Sequence, residues 1–245
     1  MKIDVLTLFP EMFDGLRQES IIGRAIQEGV IDFETVNFRE YTLDKHNRVD
    51  DTPFGGGAGM LIGPQPVCDA IEAIKSEHAK VIYLSPKGQV FNQAIASELA
   101  KEEHLIFLCG HYEGIDERII DLYVDRELSI GDYVLTGGEI PAMAIIDATA
   151  RLLPKVLGKE ESYVNDSHYN GLLEHPQYTR PREYKGLEVP EILLSGHHAN
   201  IEKWRRYKSL EVTYLRRPEL LEHIELSKSD LKMLAEIKNI QKTNK

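Results

Sequence analysis

The strongest constraint on this chain is a recurring unit in which a short apolar run is halted by proline or glycine and a helix-like segment follows. Lys2 to Phe9 is β-branched and apolar and stops at Pro10, KVIYLSP (80–86) stops at Pro86, and HLIFLCG (104–110) stops at Gly110. IDFETVNF (31–38) alternates at period two, like a half-buried strand. Helical patterns stand near 19–28, closed by Gly29, from about Pro66 to Ser76, at 91–103 and at 116–124. The strongly apolar AMAIIDATARLLPKVL is a further helix, expected to end at Pro154. Strands alternating with helices predict an α/β domain around a mostly parallel sheet, with ligands at the carboxyl ends of the strands. The stretch 46–64 has seven glycines and prolines and reads as a loop.

The 245 residues, 42% of them hydrophobic, suffice for one large domain or two unequal ones. Polar, aperiodic GKEESYVNDSHYNG (158–171) marks the boundary. The expected organisation is therefore an α/β domain at 1–157, a linker at 158–170, and a small all-α domain at 171–245. In the latter, Ile201, Trp204, Tyr207, Leu210 and Tyr214 form one helical stripe, and 229–240 is a second amphipathic helix capped by Ser229 or Ser227. The two cysteines, Cys68 and Cys109, have neither a CxxC partner nor a histidine at ligand spacing, which argues against a disulfide framework or a structural zinc site. No 18 apolar residues run together and the opening segment is no signal peptide, so a soluble cytoplasmic protein without membrane contact is expected.

A net charge of −11 argues against nucleic acid, but the charge is divided unevenly. Residues 1–157 sum to −12 and residues 158–245 to +1, and KWRRYKSLEVTYLRRP (203–218) carries six basic residues against Glu211 alone. Such a stripe, with aromatic residues facing inward, suits RNA held by shape and backbone.

Among nucleotide fingerprints, GxxxxGK[ST] and GxGxxG are absent, as are HExxH and GxSxG. What remains is three glycine-containing turns after strands: LSPKG (84–88), CGHYEGIDER (109–118) and SIGDYVLTGGE (129–139). Each alone is an ordinary turn. Three at one sheet edge make a pocket for a flat ligand rich in hydrogen-bonding atoms, such as an adenine nucleoside. Glu113 could face a cationic ligand there, or cap the helix that begins near Asp116.

These turns, together with LTLFPEMF, DDTPFGGGAGM, LLEHPQYTRP, LLSGHHANIEKWR and YLRRPELL in this order, resemble the TrmD family of bacterial tRNA (guanine-N1)-methyltransferases, in the SPOUT superfamily. The likeness covers nearly the whole chain and is most specific in HYEGIDER and SIGDYVLTGGE. It implies S-adenosylmethionine-dependent methylation of N1 of the guanosine immediately 3′ of the anticodon, where another guanosine precedes it. A SPOUT-type sheet with a deep trefoil knot, an obligate homodimer and a Mg²⁺ requirement are implied as well.

Residue by residue, the resemblance assigns cofactor binding to Tyr83, Leu84, Ser85 and Pro86, and to Gly110, Tyr112, Glu113 and Gly114. It extends that role to Ser129, Ile130, Gly131, Asp132, Tyr133, Val134, Leu135, Gly137 and Gly138. It makes Asp166 the general base, Arg151 the arginine that assists it, and Glu113 the acidic residue linked with Mg²⁺. Glu174, where the family often has Asp, is assigned to the guanine edge, and Arg180, Trp204, Arg205, Arg206 and Lys208 to tRNA. The chemistry agrees: guanine N1 is a poor nucleophile until its proton leaves, so a base and a cation near O6 are needed. Read without the resemblance, Asp166-Ser167 is also a turn or cap, and Arg151 a solvated helix side chain. The alternatives are a SPOUT enzyme acting on another RNA site and a non-catalytic RNA-binding module, which would explain the basic helix but not three cofactor-like turns.

Overall fold

The computed structural model describes residues 1–157 and 166–243, in two compact units, Met1–Lys159 and Glu160–Lys245. Residues 158–165 of the expected linker lie outside the described residues.

The first unit is built on β1 (Lys2–Thr7), β2 (Asp32–Asn37), β5 (Ala79–Val90), β6 (His104–Cys109) and β7 (Arg126–Ser129). They form a five-stranded parallel sheet in the order β2-β1-β6-β5-β7. The period-two geometry of a strand sends alternate side chains to opposite faces. Ile3, Val5, Ile82, Leu84, Leu105 and Phe107 accordingly join one buried cluster, and Leu6, Val81, Tyr83, Ile106 and Leu108 the other. Both faces of a parallel sheet are covered, which is why its strands read as continuous apolar runs. The connecting helices are α1 (Asp14–Gln18), α2 (Ser20–Gln27), α3 (Pro64–Ile74), α4 (Gln93–Leu99), α5 (Glu117–Tyr123) and α6 (Glu139–Ala150).

Asp4 is the exception within β1, a carboxylate 1% exposed. It is satisfied by Lys2 Nζ at 2.9 Å and His104 Nε2 at 2.7 Å, and the second ring nitrogen of His104 lies 2.7 Å from Ser76 Oγ. A buried charge with partners costs far less than an orphan.

In this unit three expectations are corrected. The strand begun at 80–86 does not end at Pro86: β5 resumes pairing with β7 at Gln89, and Leu84 and Gln89 both stand opposite Leu128. Residues 85–88 bulge out of the ladder, so the missing N–H of Pro86 costs no ladder bond. The helix expected to run to Pro154 closes earlier, with Arg151 as its C-cap and turns through Val156. The loop at 46–64 contains two short strands, β3 (Asp50–Asp51) and β4 (Leu61–Ile62), paired antiparallel.

The second unit is mainly helical, with α7 (Glu191–Leu194), α8 (His198–Arg216) and α9 (Lys228–Thr243). It is not all-α, because β8 (Glu183–Tyr184) and β9 (Leu187–Glu188) form a hairpin. Lys185 and Gly186 both have positive φ, the conformation that closes two-residue hairpins. Its strands are exposed throughout, so no apolar alternation announced them. Leu172, Leu210, Met233 and Ile237 make the core, with Tyr207 and Tyr214 against it. Ser227 rather than Ser229 starts α9: its Oγ accepts from Asp230 N–H at 3.1 Å, and Asp230 Oδ2 accepts from Ser227 N–H at 3.0 Å.

Asp230 also accepts two hydrogen bonds from Arg206, at 2.8 and 3.0 Å. The guanidinium, aided by Ser227, holds its carboxyl down at about 2. A depressed acid stabilises the fold above its unfolded value and loses that contribution as pH falls through the folded one. Asp230→Asn should therefore lower stability by about 1–2 kcal/mol at neutral pH. The difference from wild type should shrink between about pH 4 and 2, as urea titrations across that range will measure.

Candidate active site

The first glycine turn is the bulge within β5, the second and third leave the carboxyl ends of β6 and β7, and together they surround one cavity of about 310 Å³. Its wall includes Tyr83, Leu84, Ser85 and Pro86, then Gly110, Tyr112, Glu113 and Gly114. Ser129, Ile130, Gly131, Tyr133, Val134, Leu135, Gly137 and Gly138 complete the set expected from the sequence, and of that set only Asp132 is not in the wall. Lys87, His111, Ile115 and Thr136, which fall within the three motifs, and Ile120, Leu128 and Pro141, which lie outside them, also line it.

Two close approaches hold the turns together. A Cβ added to Gly88 would lie 2.6 Å from backbone atoms of Glu127 and Leu128, and one on Gly138 would lie 2.7 Å from Cys109 Cα. Only glycine lets these backbones meet. Gly138 N–H donates to Gly110 O at 3.0 Å, and His111 and Gly137 form a bridge, so the second and third turns are one unit. The second turn is tied to the glycine-rich loop as well: Glu113 N–H donates to Met60 O at 3.0 Å and Ile62 N–H to Gly114 O at 3.0 Å.

Tyr83 is 6% exposed, and burial, reinforced by Glu127, pushes its phenol up to about 12. It therefore remains a neutral hydrogen-bonding group at the cavity floor. Burial also pushes the Cys109 thiol well up, so it is a packing residue rather than a nucleophile. Glu113 does not cap α5. Asp116 does, accepting from Arg118 N–H at 3.0 Å, which leaves the Glu113 carboxylate exposed on the cavity wall.

Behind that wall stands a carboxylate the sequence reading did not single out. Glu139, in the first turn of α6, is 1% exposed; it accepts from Thr7 Oγ1 at 2.6 Å and from His111 Nε2 at 2.8 Å. The His111 ring also packs on Phe9, centroids 4.7 Å apart. His111 thus both hydrogen-bonds and packs.

In the second unit, Asp166 and Glu174 stand on one tight loop. His168 N–H donates to Leu172 O at 2.8 Å and Glu174 N–H to Ser167 Oγ at 2.9 Å, closing the loop at both levels. Leu173 N–H donates to Thr213 Oγ1 at 2.9 Å and anchors it on α8. The turn reading of Asp166-Ser167 is thus also true of its backbone. Glu174 accepts from Gln177. Arg151, in the first unit, is half-buried at the end of α6.

Three of the four basic residues assigned to tRNA are engaged within the second unit. Arg206 pairs with Asp230, Arg205 with Glu202 at 2.7 Å, and Lys208 with Glu211 at 2.6 Å. Trp204 leaves the core stripe and instead meets His175 and Tyr178, centroids 6.2 and 6.4 Å apart. Arg180 is exposed. Arg205, Arg206, His175 and Asn170 line a smaller cavity of about 110 Å³.

The close approach at Gly138 yields a direct test. Gly138→Ala must move backbone and should cost about 1–3 kcal/mol by chemical denaturation. Gly15→Ala, in α1 with nothing within 4 Å of the added carbon, should be neutral or stabilising by about 0.5–1 kcal/mol.

Comparison with known proteins identifies the family. The profile of the family described as tRNA (Guanine-1)-methyltransferase TrmD matches residues 1–223. A tRNA (guanine-N(1)-)-methyltransferase of Clostridium beijerinckii is 61% identical, over 96% of this chain and 98% of its own. Enzymes of the same name from Clostridium perfringens and Desulforamulus reducens are 59% and 56% identical, covering 96% and 98% of this chain and 99% and 96% of theirs. With a family profile spanning both glycine turns and the basic helix, and relatives of this identity matching end to end, the chain belongs to the TrmD family of tRNA (guanine-1)-methyltransferases.

Proposed function

We propose that this protein transfers a methyl group from S-adenosylmethionine to N1 of the guanosine immediately 3′ of the anticodon, with Asp166 as general base. The observation that carries the reading is the meeting of three glycine turns around one cavity, since glycine-lined backbone is what lets main-chain N–H and C=O groups reach a nucleoside. The cavity volume, about 310 Å³, is within the range of small-molecule sites. In that cavity S-adenosylmethionine would supply an electrophilic methyl group. The turn backbones orient it, and Tyr83 contributes a neutral hydroxyl.

On this reading the S–CH₃ bond breaks as the N1–CH₃ bond forms, the sulfur keeps the bonding pair, and the N1 proton passes to the Asp166 carboxylate. Arg151 stabilises the charge that develops at O6. Glu174 stands one loop-width from Asp166, where its carboxylate suits the guanine N–H edge. Mg²⁺ belongs to the same proposal. Among the described residues no group of three or more His, Cys, Asp or Glu could hold a metal ion. The exposed carboxylate of Glu113, completed by water and substrate oxygens, is an ordinary way to hold Mg²⁺.

The knot and the homodimer rest on family membership. Exposed Tyr133, Val134, Leu135 and Ile140 at the third turn support the dimer, because such an apolar patch marks an interaction surface. The division of labour proposed is a donor-binding domain at 1–157 and a tRNA-gripping domain from 171, in the cytoplasm. Among the described residues no helix is long and apolar enough to cross a membrane.

Methyl transfer to tRNA transcripts carrying G or A at the target position tests the reading: G alone should react, and equal transfer to A, or none to either, refutes it. Asp166→Asn should bind donor and tRNA nearly normally while single-turnover transfer falls about 10²–10⁴-fold. Wild-type rates in that variant would make the carboxylate structural. Heterodimers of an Asp166→Ala chain with a Gly138→Trp chain should recover activity if base and donor site come from different subunits. Verified heterodimers without activity would remove the shared site.

A further inference from the structure

Glu139 is the one buried carboxylate in a helix whose inner side is mainly apolar: Pro141, Ala142, Ile145, Ile146 and Ala150 are buried with it, and Thr149 is the other buried polar residue. Burying a charge is costly, and a helix N-terminus accepts an acidic residue just as well when it is exposed. Here the cost is reduced by a dedicated set of partners from two other segments. Thr7 Oγ1 accepts from Phe9 N–H at 2.9 Å, which aims its own hydroxyl hydrogen at Glu139 Oε1. His111 takes the other oxygen.

Nor is the charge remote from the cavity. Its neighbours His111, Gly137, Gly138 and Pro141 are cavity wall, and a side chain on Gly137 would overlap both the His111 ring and the Glu139 carboxylate. The glycine thus brings the carboxylate as near the cavity as one layer of protein permits.

We propose that Glu139 is the charge by which this cavity distinguishes a cationic sulfonium donor from the neutral thioether left after methyl transfer. The inference rests on the donor reading above. Donor and product share every atom except one methyl group, whose contacts an apolar pocket can sense only through shape. They differ by a full positive charge. A unit charge acting across a cavity of this size, at the effective dielectric of a partly buried site, changes affinity by about tenfold, within roughly 5- to 50-fold. Glu139 therefore favours donor entry and product departure without touching either. Two other carboxylates compete for this role: Glu113, exposed on the second turn, and Glu127, in register with Tyr83 on β7. Lys87, also in the wall, is paired with Glu117 at 3.7 Å.

The test is the ratio of affinities, measured by calorimetry on the full chain at about pH 8.5, where an ordinary imidazole is neutral. The ligands are S-adenosylmethionine, S-adenosylhomocysteine, and sinefungin, which has an ammonium in place of the sulfonium. Loss of shape weakens all three alike and leaves the ratio unchanged, whereas loss of charge does not. Glu139→Gln should cut the preference for both cations over the thioether by about tenfold. Glu139→Asp, which keeps the charge but withdraws it by one methylene, should cut it about two- to threefold and serves alone if the Gln variant does not fold. A ratio unchanged in Glu139→Asp and, where it folds, in Glu139→Gln overturns the inference, as does a larger loss in Glu113→Gln or Glu127→Gln. A wild-type protein that binds none of the three ligands overturns the donor reading itself, while binding with an unmoved ratio sinks only the role of Glu139.

Discussion

The cavity exists because backbone meets backbone at the carboxyl edge of the sheet. Gly88 lies against Glu127 and Leu128, and Gly138 lies against Cys109, in both cases closer than a β-carbon allows. Everything around the site follows from these two contacts. The first lets β5 bulge at 85–88 and return to β7, which swings Ser85, Pro86 and Lys87 into the wall. The second seats the start of α6 beside β6, which carries Glu139 to Thr7 and His111. A sheet packed on both faces supplies the rigidity that such approaches require, since its strands cannot shift without opening one of two apolar layers.

Electrostatics divides the chain where the fold divides it. The first unit is strongly negative, and its cavity is backed by a buried carboxylate and rimmed by an exposed one. The second unit is close to neutral, and its helix α8 carries the basic stripe. Intramolecular ion pairs already engage Arg205, Arg206 and Lys208, and how firmly each is held depends on its burial. For a surface that grips a polyanion this has two consequences. Exposed pairs such as Arg205–Glu202 exchange partners at little cost, because surface ion pairs are weak. Arg206, bound twice to a nearly buried Asp230, is instead part of the packing between α8 and the start of α9.

The sequence was most legible where one rule acted alone. Apolar runs ended by glycine or proline located β1, β5 and β6, and glycine density located the cavity turns, because both signals are local. It was least legible where distant segments decide the outcome. Pro86 looks like a strand terminus until β7 shows that the strand resumes beyond a bulge, and the hairpin at 183–188 has no buried face to announce it. Arg206 reads as a surface cation, and no local signal announces its pairing with Asp230, 24 residues later. Glu139 looks like the polar end of a turn, and only the return of β1 through Thr7 makes it a buried charge. The role proposed for Asp166 rests on family likeness alone, since an Asp-Ser turn is common and its backbone is indeed a turn.

These charges bear on the proposed reaction in one further way. Methyl transfer to guanine N1 begins with a cationic sulfonium and an ionised carboxylate, and it ends with a neutral thioether and a neutral acid. Two opposite charges vanish together as the proton and the methyl group move. Water stabilises separated charges better than a preorganised, water-poor site does, so removing water favours the direction in which they cancel. The same cavity must nevertheless admit the sulfonium before the reaction. A negative charge fixed one layer behind the wall meets the second need at a modest cost to the first: it compensates the cation on entry, an attraction given up as the methyl leaves, makes no covalent or hydrogen-bonded contact that transfer would have to break, and ceases to favour the ligand once the methyl has gone. A carboxylate inside the cavity would instead be a second nucleophile facing an electrophilic methyl group. The packing of Glu139 behind His111 and Gly137 supplies the field while withholding the oxygen atoms that would compete for the methyl.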